Sequence, residues 1–115
     1  MFRTIFNDIQ ARNPEIYLIG IWGKDGLELE KAVYLPPDTD TDLLGAELAE
    51  VVGKLDNLEV TRADFHIEYV SGKFKIMVHS LNSGYFLLFF SGPNLISGKL
   101  NYYLNLKKNS ILALL

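Results

Sequence analysis

The apolar and polar positions of the chain fall into segments of distinct period. Phe2, Ile5, Phe6 and Ile9 recur at i, i+3, i+4 and i+7, the stripe of an amphipathic helix. Asn13-Pro14 ends it, because the residue before a proline is disfavoured in the α region. Residues 16–22 are apolar on both alternating faces, which predicts a strand covered above and below. Lys24-Asp25-Gly26 supplies a hairpin turn, its Asp-Gly pair tolerating positive φ. The next strand, 27–34, alternates, with Leu27, Leu29 and Val33 on one side and Glu28 and Glu30 on the other, and so is half exposed.

Pro36-Pro37 breaks the chain, and the acidic run 38–42 offers caps and favourable charge to the N-terminus of a helix over 41–58. Three stripes run along that helix. Leu44, Leu48, Val51, Val52, Leu55 and Leu58 share a broad apolar face, and Glu47, Glu50 and Lys54 share a polar one. Gly45, Ala49 and Gly53, four residues apart, make a stripe of small residues. Beyond it Thr61, Ala63, Phe65, Ile67 and Tyr69 alternate with Arg62, Asp64, His66 and Glu68, a period-two strand over 59–70. Ser71-Gly72-Lys73 turns into a strand at 74–81, and Asn82-Ser83-Gly84 turns into one at 85–90 that is apolar on both faces. Ser91-Gly92-Pro93 opens a last helix, proline being accepted in a first turn, and Ile96, Leu100, Tyr103, Leu104, Ile111 and Leu115 form its stripe.

Strands 16–22 and 85–90, covered on both faces, belong side by side at the centre of the sheet, with the half-exposed 27–34 and 59–70 at its edges. With hairpins joining neighbours, the expected fold is an α/β (α+β) arrangement of order α-β-β-α-β-β-β-α. Its antiparallel sheet of five strands runs 2-1-5-4-3, with helices one and three on one face and helix two on the other. At 115 residues the chain has room for one domain, expected to span 1–115.

Hydrophobic residues make up 49% and charged residues 22% of the chain, a globular composition and not a disordered one. A net charge of −3, with the cations scattered, gives no electrostatic grip on nucleic acid. The absence of cysteine removes disulfides, thiolate-bound zinc and thiol catalysis, and fits a reducing, cytoplasmic setting. No apolar run reaches the roughly 18 to 20 residues of a membrane span, and the first residues do not form a signal peptide's apolar core. Membrane insertion is therefore not expected.

The Asn13-Pro14 break, the apolar strand 16–22, the Lys24-Asp25-Gly26 turn, the helix after Asp40, the strand from Lys73, the Asn82-Ser83-Gly84 turn and the small-residue entry to the last helix at Ser97-Gly98 together resemble the Roadblock family. That family includes the Roadblock dynein light chains, the Ragulator subunits and the bacterial gliding-motility regulator MglB. The resemblance runs over essentially the whole chain, though it consists of residue-class patterns and not of invariant signatures. It implies homodimers, or heterodimers with another Roadblock protein, built through the second helix and third strand. It also implies service as scaffold, adaptor or activator of a Ras-like small GTPase, without catalysis by the chain itself and without a cofactor.

The residues add to the case for dimerisation. Glycine costs roughly 1 kcal/mol against alanine inside a helix, so Gly45 and Gly53 call for a reason; a close backbone approach at a subunit seam is one, mere tolerance another. Strand 59–70 is a long edge without proline, which proteins avoid leaving unpaired. The expected interface is thus Gly45, Ala49, Val52, Gly53, Arg62, Asp64 and His66, with Glu47, Glu50 and Lys54 flanking it as the partner-binding surface.

Candidate chemistry is thin. Asp38, Asp40 and Asp42 imitate the start of a calcium loop, but its glycine and glutamate positions hold Leu43 and Ala49. His66 and His79 are the only histidines and have no metal-ligand spacing, so no metal is expected. No phosphate-binding glycine loop and no GxSxG elbow occur. Trp22, closing a central strand, can serve the core or anchor a partner. Two readings from other classes remain open: a small-molecule sensor, since profilin-like and PAS-like domains use similar element orders, and a structural adaptor like the dynein light chains. Bulky residues on both faces of the central strands argue against a sensor's cavity.

Overall fold

The structure, a computed structural model, describes residues 1–34, 40–57, 64–81 and 84–115. Its elements are α1 (Phe2–Arg12), β1 (Ile16–Gly23), β2 (Glu28–Val33), α2 (Thr41–Asp56), β3 (His66–Val70), β4 (Lys75–Ser80), β5 (Tyr85–Ser91) and α3 (Ser97–Ala113). The strands pair antiparallel in the order β2-β1-β5-β4-β3, as the burial pattern requires.

Alternation along the central strands divides their side chains between two cores. Ile19 and Ile21 of β1 and Leu87 and Phe89 of β5 pack against Phe6 and Ile9 of α1 and Leu100, Leu104 and Ile111 of α3. Leu18 and Trp22 of β1 and Phe86, Leu88 and Phe90 of β5 pack against Ala49 and Val52 of α2. Burying a side chain of this size contributes on the order of 1.5–3 kcal/mol, so both faces of β1 and β5 hold the sheet between its helices. α1 ends at the proline break, where the buried Asn13 donates its side-chain amide to the Ile9 carbonyl at 2.9 Å. α2 is capped by Asp40, whose carboxylate accepts from the Asp42 and Leu43 amides, each at 3.1 Å. Lys31 of β2 then ties that end of α2 down, donating to Asp42 at 2.9 Å and to Thr41 at 3.2 Å.

Three expectations need correction. The last helix starts at Ser97, because the backbone turns over 93–94 and Ile96 is still extended at the N-cap; Pro93 precedes the helix instead of opening it. On β2 the apolar side faces outward: Leu27, Leu29 and Val33 are 70%, 42% and 42% exposed, while Ala32 is buried against the α1 core. A register shift between Ile21 and Trp22 leaves Leu29 with no counterpart on β1, and α2 meets this edge strand only at its first turn, where Lys31 bonds Thr41 and Asp42. The third strand begins at His66, with 58–63 outside the described residues. Among the described residues, no helix is long and apolar enough to cross a membrane.

Candidate functional site: the α2 and β3 edge

The two edges of the sheet are finished differently. On β2, Arg3 reaches from α1 to donate to the Lys31 carbonyl at 3.2 Å and lies 3.9 Å from Glu30, so a guanidinium occupies part of that edge. Among the described residues no side chain bonds across the outer edge of β3, which pairs with β4 alone. An open, unguarded edge is a template for another strand.

Beside this edge, on the α2 face, lies a groove of about 280 Å³ walled by Leu48, Val51 and Val52 of α2 and Ile67, Tyr69, Ile76 and Val78 of β3 and β4. Val51 is 47% and Tyr69 55% exposed, so large apolar side chains stand in water at the rim. The arrangement follows from strand alternation: Phe65, Ile67 and Tyr69 point to the α2 side, where Phe65 and Ile67 pack against the α2 core and Tyr69 stays largely exposed. What such a groove can do is bury apolar surface against a partner while β3 accepts a neighbouring strand.

The predicted interface residues divide. Gly45, Ala49 and Val52 are buried within the chain, turned to its own sheet. The small stripe has an intrachain reason: a Cβ at Gly45 would fall into the Trp22 indole, 2.8 Å from Cδ1. Trp22 accordingly serves the core, 1% exposed. Gly53 differs, since a Cβ there would meet no described residue within 4 Å. Asp64 and His66 lie at β3 but turn to the α3 face, where Asp64 pairs with Lys108 at 3.4 Å and the His66 ring stacks on His79 at 5.1 Å. Arg62 lies outside the described residues, as do Asp38 and Thr39 of the acidic run. Glu47, Glu50 and Lys54 are exposed along α2. Sequence reasoning passed over Val51, Tyr69 and Ile76; the alternation of 65, 67 and 69 was legible, but not that the helix would leave them uncovered.

Among the described residues no group of three His, Asp or Glu side chains converges as a metal would require.

No protein-family model and no curated protein matches the sequence. Solved structures do match the fold. A Roadblock/LC7 domain from Streptomyces avermitilis aligns with a TM-score of 0.72 at 18% identity, covering 91% of this chain and 89% of that one. The gliding protein MglB from Thermus thermophilus aligns at 0.79 and 10% identity, covering 96% and 85%. MglC from Myxococcus xanthus aligns at 0.67 and 18% identity, covering 99% and 98%. With the strand order 2-1-5-4-3 and its three helices, the chain thus has the Roadblock/LC7 fold shared by MglB and MglC.

Proposed function

We propose that this protein is a non-catalytic, Roadblock-type homodimer that regulates or scaffolds a Ras-like small GTPase. The observation that carries the reading is the apolar groove between α2 and β3, open beside a sheet edge that no described residue covers. A second copy of the chain satisfies both needs together: its β3 continues the sheet and its Val51 and Tyr69 leave water. The likeness in fold to MglB supports this, including an MglB structure of tetrameric arrangement that aligns at a TM-score of 0.82 and 12% identity. In such a dimer Gly53, with open space above it, lets the two α2 helices approach. Glu47, Glu50 and Lys54 then flank the seam and form the surface on which the GTPase sits, the chain acting as an activating partner of the MglB kind in the cytoplasm. A heterodimer with another Roadblock protein would use the same edge.

Light-scattering chromatography of the wild type and of Val51→Glu tests the dimer. A wild-type dimer that becomes a folded monomer on substitution bears the reading out, and a wild-type monomer over a wide concentration range ends the homodimer. GTP turnover by a Ras-like protein, with and without the chain, then separates an activator from a scaffold.

A further inference from the structure

On the opposite face of the sheet a cavity of about 220 Å³ opens between α3 and the paired ends of β3 and β4. Its apolar lining is drawn from the core: Leu87, Leu104 and Ile111 are buried. Its polar lining includes His79 from β4 and Asn101 from α3. The Nε2 of His79 and the Oδ1 of Asn101 are buried and have no hydrogen-bond partner among the described residues. A buried polar atom left so costs roughly 1–3 kcal/mol, and here both belong to residues that line one cavity, although neither atom is open to it at rest.

The charges at the site specify what fits. Lys108 lies 3.4 Å from Asp64, so the cation and the anion lining the cavity neutralise one another. An ionic ligand would have to break that pair. Burial first, then the neighbouring His66 and Lys108, lower the His79 pKa to about 4, which keeps its imidazole neutral near pH 7. At ~30 Å³ per water the space equals about seven waters, the size of a single-ring molecule.

We propose that this cavity binds a small uncharged molecule carrying a hydroxyl group on an apolar ring or chain. The hydroxyl donates its one proton to Asn101 Oδ1 and accepts from His79 in the tautomer that carries its proton on Nε2. The apolar part lies against Leu87, Leu104 and Ile111. Neither polar atom is open to the cavity at rest, so binding goes with a turn of the Asn101 and His79 side chains toward it, His79 moving against the exposed His66 ring stacked on it. The cavity lies on the α3 face of the sheet, opposite the α2 groove, though it shares His66 of β3 with that edge; it stands or falls independently of the GTPase reading.

The test is a titration of the ¹⁵N-labelled full chain with phenol, with toluene and acetate as comparators, read by amide chemical shifts. The expected result is saturable shifts confined to residues around His79, Asn101 and Lys108, with toluene at least tenfold weaker and acetate without effect. Asn101→Leu removes the acceptor, and Asn105→Trp, on an exposed rim residue of α3, covers the mouth. Each should weaken phenol at least tenfold while keeping a folded spectrum. Phenol shifts that are absent, scattered or linear to its solubility limit would overturn the proposal. So would toluene matching phenol, acetate binding more tightly, or full phenol affinity in Asn101→Leu.

Discussion

Gly45 of α2 lies directly over the indole of Trp22 on β1, leaving no space for even a methyl group between helix and ring. The glycine lets α2 settle onto the central strand, and the largest side chain of this core is sealed as a result. Replacing an interior helix glycine by alanine ordinarily stabilises by roughly 0.5–1 kcal/mol. At Gly45 overpacking wins, and Gly45→Ala should destabilise by about 1–3 kcal/mol. Gly53→Ala, where no described residue comes within 4 Å of the added methyl, should keep the ordinary gain of roughly 0.5–1 kcal/mol. Urea melts at one fixed protein concentration read both changes; equal signs at the two positions would contradict the packing described.

Asp40 satisfies two amides of the first turn of α2. Asp40→Ala should lower stability by about 1 kcal/mol, and Asp40→Asn by less, because the amide oxygen still accepts. Thermal melts of the two variants beside wild type give the comparison. Equal losses in both would assign the effect to charge at the helix end and not to the cap.

His79 makes stability depend on pH. Its folded pKa of about 4 lies below the ordinary value near 6.5, chiefly through burial. Between those values the unfolded chain takes up a proton that the folded chain refuses. The contribution is therefore complete above pH 6.5 and is lost as pH falls toward 4, amounting to about 2 kcal/mol between pH 7 and pH 5. Urea midpoints of wild type should fall over that range, and those of His79→Gln should fall much less. The same slope in both proteins would place the effect on other groups.

Glu47→Lys with Glu50→Lys, both exposed on α2, should reduce affinity for a Ras-like GTPase at least tenfold and leave the melting temperature within a few degrees. Surface plasmon resonance against the GTP-loaded form measures it. Unchanged affinity would remove these residues from the docking surface.

Much of the fold was written in local periodicity. Residues 16–22 and 85–90, apolar on both faces, read as central strands, and Asn13-Pro14 and Asp25-Gly26 punctuate the chain by backbone sterics. Strand order and the side of each helix followed from those burial needs and are what the structure has. The candidate site was legible only in outline. The 41–58 helix and the alternating edge strand were identified, but a stripe of small residues does not say whether the neighbour it admits belongs to the same chain. Trp22 answers that for Gly45, through a contact between residues far apart in sequence. Likewise period two separates the faces of β2 and β3 without saying how far a helix extends over them. Leu29 is exposed because a register shift takes it out of the pairing, and Tyr69 because it lies at the rim of the α2 groove. Asp64 and His66 turn to α3 because the pleat sends them there. Local pattern set the elements and their order; the reach of each helix over the sheet, a property of packing in three dimensions, decided which surfaces were left open.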